Sequence, residues 1–160
     1  MRGGLTNTDP GGIDAIERIL ELRADPERVW RAVTRPEEIA RWFGDSAELE
    51  AREGAEGWFG WSKYGRFAVR VEGCEPPRLF AWRWAREEGK PLDETRSTRV
   101  EWELVPRDGG GTVLHLRESG FEHPEDREDN VGGWKHELDE LLEYLGEPAD
   151  ASNTTRAGSG

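Results

Sequence analysis

Cysteine and methionine each occur once in this 160-residue chain, histidine three times, and no long apolar run is present. The single thiol, Cys74, has no partner for an intrachain disulfide, which suits a reducing compartment. Glu72 and Glu75 beside it raise a thiol's pKa, so Cys74 reads as a small core or strand residue and not as a nucleophile. His115, His123 and His136 form no cluster at metal-ligand spacing. His136-Glu137 looks like the start of a zinc-protease helix, but Glu140 stands where the second histidine belongs. No metal and no cofactor is expected.

Apolar runs stop at about four residues, against the ~20 that cross a bilayer. Residues 1–12 lack the apolar stretch of a signal peptide. A cytoplasmic location is therefore the expectation. A Gly-x-Ser-x-Gly nucleophile turn and a phosphate loop are also missing, and Gly109-Gly110-Gly111 reads as a hairpin turn. Positive charge is short as well: 22 Lys and Arg face 34 Asp and Glu, a net charge of −12. Such a surface repels phosphate, so neither nucleic acid nor an anionic membrane is an expected partner. What the acidity supplies is solubility.

The chain is rich in large rings. Its hydrophobic fraction is only 34%, but eight tryptophans and five phenylalanines compensate, since each ring buries roughly 150–250 Å². One domain is expected over residues 13–147, between polar tails at 1–12 and 148–160. Residues 13–22 alternate as a strand. Asp25-Pro26 then forms a helix start, with Asp as N-cap and Pro in the first turn, ahead of an apolar face of Val29, Trp30 and Val33. A second short helix restarts at Pro36, turns Ile39, Trp42 and Phe43 inward, and stops at Gly44.

Strand and turn follow, with segments near 46–51, 55–62, 65–75, 78–86, 96–106 and 111–119. Period-two patterning places Phe67, Val69 and Val71 on one face. Phe80, Trp82 and Trp84 share that pattern, as do Val100, Trp102 and Leu104, and Leu114 with Leu116. Charged residues occupy the opposite face, which marks an antiparallel sheet with one wet side. Trp134, Leu138, Leu141 and Leu145 then follow a helical stripe over about 131–145, closed by Gly146. One apolar face on the sheet and one on the helix must pack together, giving an α+β fold of order β-α-α-β6-α.

These residues carry a resemblance. Asp25-Pro26 to Trp30, Thr34-x-Pro36-Glu37, Trp42-Phe43, Pro76-Pro77-Arg78-Leu79 with Trp84, Gly111-Thr112 to Leu116, Gly120-Phe121 and Gly133-Trp134-x3-Leu138-x2-Leu141-x3-Leu145 stand in one order across residues 13–146. Together they resemble the heat shock protein 90 ATPase activator-like family, part of the START-like (SRPBCC) helix-grip superfamily. The resemblance implies a curved antiparallel sheet wrapped around the long C-terminal helix, with a cavity between them that in many relatives takes an apolar small molecule. It implies no single chemistry, because relatives include lipid carriers, hormone receptors, cyclases and the chaperone activator itself. Function has to be argued from the site.

The inward ladder Phe80-Trp82-Trp84 beside Trp102 either lines a ligand pocket or fills the core. Phe67, Leu114, Leu116, Trp134 and Leu138 share its side and complete the expected lining. Glu118 has the strand parity of Leu114 and Leu116, so it points inward near the open end. There it orients a ligand, acts as a general base if burial raises its pKa, or stands as a rim charge in water. No catalytic residue is assigned. With at most one polar group on the inward faces, the reading is a non-enzymatic protein that binds an apolar or aromatic small molecule. The alternatives are a cyclase- or hydrolase-type enzyme using the same cavity, or a chaperone-interacting protein acting through its outer surface.

Overall fold

The computed structural model describes residues 15–148. The tails expected at 1–12 and 148–160 lie outside them, save Pro148. Strand β1 (Ile16–Leu22) leads into helices α1 (Pro26–Thr34) and α2 (Pro36–Trp42). Six strands follow: β2 (Ser46–Glu48), β3 (Glu56–Trp61), β4 (Gly65–Glu75), β5 (Leu79–Ala85), β6 (Ser97–Pro106) and β7 (Thr112–Ser119). Helix α3 (Pro124–Leu145) closes the fold. Asp25 caps α1, its carboxylate accepting from the Arg28 N–H at 2.8 Å, and Pro26 opens the first turn.

All seven strands form one antiparallel sheet in the order β1-β7-β6-β5-β4-β3-β2. Neighbours in sequence pair by hairpins, while β1 crosses to β7 with Leu20 opposite Leu114. A register shift between Val71 and Gly73 marks a bulge in β4, a device that bends a strand and strengthens local twist. Burial alternates residue by residue along β6 and β7. Thr98, Val100, Trp102 and Leu104 face inward from β6, and Thr112, Leu114, Leu116 and Glu118 from β7. On the wet face Glu72 accepts from Arg83 at 2.9 Å and from Arg99 at 2.7 Å. These pairs are only half-buried and still reached by solvent, so each contributes little stability.

Helix α3 is a turn or two longer than its apolar stripe, beginning at Pro124 and not near residue 131. Its first turns are held by polar contacts that leave no hydrophobic period. Asp126 pairs with Arg96 at 2.9 Å, Asp129 with Arg86 at 3.1 Å, and the Arg127 guanidinium donates to the Ala15 carbonyl at 3.0 Å. The stripe itself behaves as expected, with Trp134, Leu138, Leu141 and Leu142 buried. Gly146 ends the helix in the left-handed region, φ 73°, where a residue without Cβ pays no steric cost. Among the described residues no helix is long and apolar enough to cross a membrane.

One contact past α3 fastens the end of the domain. The Glu147 carboxylate accepts from the backbone N–H of Arg23 at 2.9 Å and of Ala24 at 2.8 Å, where β1 ends. A chain trimmed to residues 13–147 is expected to melt where the full chain does, whereas Glu147→Ala lowers unfolding free energy by about 1–2 kcal/mol in urea melts.

Candidate functional site

Helix α2 ends by pushing Phe43 into the centre of the concave face. Gly44 follows with φ 70°, and a Cβ there would meet the Gly60 carbonyl oxygen and the Trp61 ring, so the backbone comes close to β3 only because the residue is glycine. Phe43 stacks on Trp84 and on Trp134, at centroid distances of 5.5 and 5.4 Å. It also meets Phe59 and Trp61 edge-on. One phenyl ring thus ties α2, β3, β5 and α3 together.

Beside this cluster, between the first half of α3 and the end of the sheet where β3, β4 and β5 meet, is a half-open cavity of about 770 Å³. Six rings face it: Phe43, Trp61, Tyr64, Phe67, Trp84 and Trp134. Ala85, Arg86 and Glu88 line it from the end of β5, Thr98 from β6, and Asp129, Asn130, Gly133 and Glu137 from α3. Arg86 is committed to its neighbours, donating to Asn130 Oδ1 at 2.8 Å and to Asp129 Oδ2 at 3.1 Å.

Directly behind the wall lies Glu118, fully buried. Its Oε1 accepts from Trp134 Nε1 at 2.7 Å and from Asn130 Nδ2 at 3.0 Å. Its Oε2 accepts from Trp84 Nε1 at 2.9 Å and from Thr98 Oγ1 at 2.5 Å. All four donors belong to residues of the cavity wall. Glu118 is therefore no rim charge in water. Strand β7 runs under α3 at this point, and the helix with both indoles seals the carboxyl from solvent and from the cavity alike. A buried polar group is tolerable when its hydrogen bonds are satisfied, and this one fixes the orientation of two indoles.

Glu137 is the carboxyl that does face the cavity. It sits one turn beyond Trp134 on α3 and accepts from Trp61 Nε1 at 3.2 Å. Partial burial is the main cause that pushes its pKa up from the ordinary carboxylate value, against the Trp61 hydrogen bond that lowers it. By contrast Cys74 sits half-buried in β4 with its thiol raised by burial first and by the charge of Glu53 next, not by Glu72 or Glu75.

Residues 23–146 match the family described as Activator of Hsp90 ATPase homolog 1-like protein, well over half of the chain. The chain belongs to that family. Solved structures agree on the fold. Protein MLL2253 from Mesorhizobium loti is 24% identical, with a TM-score of 0.71 over 82% of this chain and 96% of that one. CalU16 from Micromonospora echinospora is 27% identical, with a TM-score of 0.66 over 82% of this chain and 75% of that one. PFC0360w, an HSP90 activator from Plasmodium falciparum, is 19% identical, with a TM-score of 0.67 over 84% and 98%. No curated protein matches.

The helix grip of the activator family is thus present, with the cavity at one end of it. Of the residues expected to line it, Phe67, Trp84 and Trp134 do so. Phe80, Trp82, Trp102, Leu114, Leu116 and Leu138 lie instead in the packed core, and Glu118 behind the wall. The reason is α1 and α2, which fill the rest of the concave face. Trp30 meets Phe80 edge-on at 5.9 Å and Trp42 meets Trp102 at the same distance, with the Trp42 N–H satisfied by the Ala32 carbonyl. Both readings of the aromatic ladder therefore hold in part: its Trp84 end is wall and its Phe80 end is core.

The inward side carries more than the one polar group that strand parity predicts. Helix α3 brings Asn130 and Glu137 to the cavity along with Trp134, and the strand ends add Arg86, Glu88 and Thr98. A signal for two of them existed. Asn130 lies four residues before Trp134 and Glu137 three after it, so all three share one helix face. Trp61, Tyr64 and Phe43 were legible as apolar residues, but not as neighbours, because their meeting depends on the close approach at Gly44.

Proposed function

We propose that the chain is a non-enzymatic binding protein that takes an apolar or aromatic small molecule into the cavity between α3 and the sheet. The observation that supports this reading best is a half-open space of about 770 Å³ walled by six aromatic rings, within the ~300–1,000 Å³ usual for ligand sites. Affinity comes mainly from apolar area, and the Glu118 network keeps the wall shaped before the ligand arrives. Such preorganisation removes part of the ordering cost of binding.

A titration with a neutral bicyclic aromatic probe, followed by tryptophan fluorescence, tests it. Quenching should saturate, and at about 100 times Kd the bound form gains roughly 2.7 kcal/mol against unfolding. Trp84→Ala should weaken binding about tenfold, through lost ring contact of ~1 kcal/mol and the area that goes with it. Binding unaffected by Trp84→Ala would move the ligand elsewhere.

The cyclase- or hydrolase-type enzyme is the second reading, and Glu137 is what favours it. A cavity-facing carboxyl with a raised pKa suits general acid–base work. In that case Glu137→Gln abolishes turnover of a substrate that still binds. A chaperone engaged through the outer surface, as the family suggests, would instead bind equally well with the cavity filled or empty.

A further inference from the structure

The charges around the cavity are unevenly matched. Three carboxylates, those of Glu88, Asp129 and Glu137, face it against one guanidinium, that of Arg86. Arg86 is already spent, bonded to Asp129 and Asn130 and lying 3.5 Å from Asp126. Glu88 and Glu137 have no cationic partner within the cavity; Glu137 receives only neutral donors, and His136 beside it is solvent-exposed. Burial is the main cause that pushes the Glu137 pKa up, with the charge of His136 opposing and that of Glu140 adding to it, so a positive group placed in the cavity relieves an existing cost. Most of the rest of the wall is aromatic, and the face of such a ring attracts cations through its negative quadrupole. Tyr64, one of these rings, already has a cation near it: the Lys63 ammonium lies 5.8 Å from its centre.

We infer that the cavity selects a hydrophobic ammonium, a small molecule whose aromatic or aliphatic body stacks among the rings and whose amine or quaternary nitrogen sits between Glu88 and Glu137. An apolar wall alone favours the neutral ligand, because dehydrating a charge of either sign costs free energy, and ring faces offset that cost for a cation only. The half-buried Glu137 carboxylate, with the exposed Glu88 carboxylate of the same wall, tips the selection to a cation, because each favours a cation and repels an anion. This inference rests on the cavity being a ligand site, as proposed above, and adds the charge of the ligand.

Three naphthyl probes separate the two claims, carrying trimethylammonium, hydroxymethyl or carboxylate at the same ring position and titrated by calorimetry at low salt. The ammonium probe is expected to bind at least about tenfold tighter than the neutral one, and the carboxylate probe weakest. Glu88→Gln with Glu137→Gln should bring the ammonium-to-neutral ratio towards one. Raising ionic strength on the unaltered protein should shrink the same ratio, which needs no variant to fold. Equal binding of the ammonium and neutral probes, or tightest binding of the carboxylate, overturns the charge selection and leaves the cavity as a ligand site. A ratio that survives the double substitution overturns the roles of Glu88 and Glu137. Failure of all three probes removes the ligand site itself and this inference with it.

Discussion

Trp134→Ala is expected to lower unfolding free energy by about 3–5 kcal/mol, as measured by urea melts. The indole is buried, stacks on Phe43 at 5.4 Å and meets Trp102 edge-on at 5.6 Å. Its loss opens a void between α3 and the sheet that rigid neighbouring rings cannot collapse to fill. It also deprives Glu118 Oε1 of its shortest hydrogen bond, 2.7 Å. Leu138→Ala, one turn on and equally enclosed, should cost about 2–5 kcal/mol by the cavity term alone. Values below about 1 kcal/mol for both would mean that the helix is peripheral to the fold.

Glu118→Ala should cost roughly 2–4 kcal/mol, because the Trp134 N–H loses its acceptor at ~1–3 kcal/mol and the Trp84 N–H keeps only Thr98 Oγ1, at 3.0 Å. Asn130 can turn to other partners and Trp84 retains the Thr98 hydroxyl, but Trp134 is held by the rings around it and cannot. Glu118→Gln keeps the volume but turns an amide N–H towards an indole donor, so it should cost about 1–3 kcal/mol and weaken ligand binding less than Trp84→Ala does. The comparison distinguishes support of the wall from contact with the ligand. A Glu118→Gln protein as stable as the parent would show that the four hydrogen bonds do not order the wall. If that variant abolished turnover of a substrate while binding survived, Glu118 itself would be acting chemically.

The fold was legible because its signals are local and one-sided. The alternation of Phe80, Trp82 and Trp84, of Val100, Trp102 and Leu104, and the stripe from Trp134 to Leu145 each bury one face, and two such faces have one way to meet. The beginning of α3 was not legible, since Asp126, Asp129 and Asn130 are held by ion pairs and hydrogen bonds to distant strands. The cavity was legible only as a ring-lined face. Where along that face the space opens depends on how far α1 and α2 cover it, a tertiary outcome that periodicity does not encode. Glu118 was placed inward correctly by strand parity, but its burial came from four donors on β5, β6 and α3 that no sequence pattern connects.

A ligand cavity at the Trp84 end of the grip can be read out from the indole N–H resonances of the eight tryptophans. In a nitrogen-15 NMR titration with the neutral naphthyl probe, the signals of Trp61, Trp84 and Trp134 should move together and saturate. Those of Trp82 and Trp102, enclosed in the core, should shift far less, and that of Trp58, on the other side of β3 against Arg66, should stay in place. No movement at Trp61, Trp84 and Trp134 up to the solubility limit of the probe, or equal movement at all eight, would contradict the account.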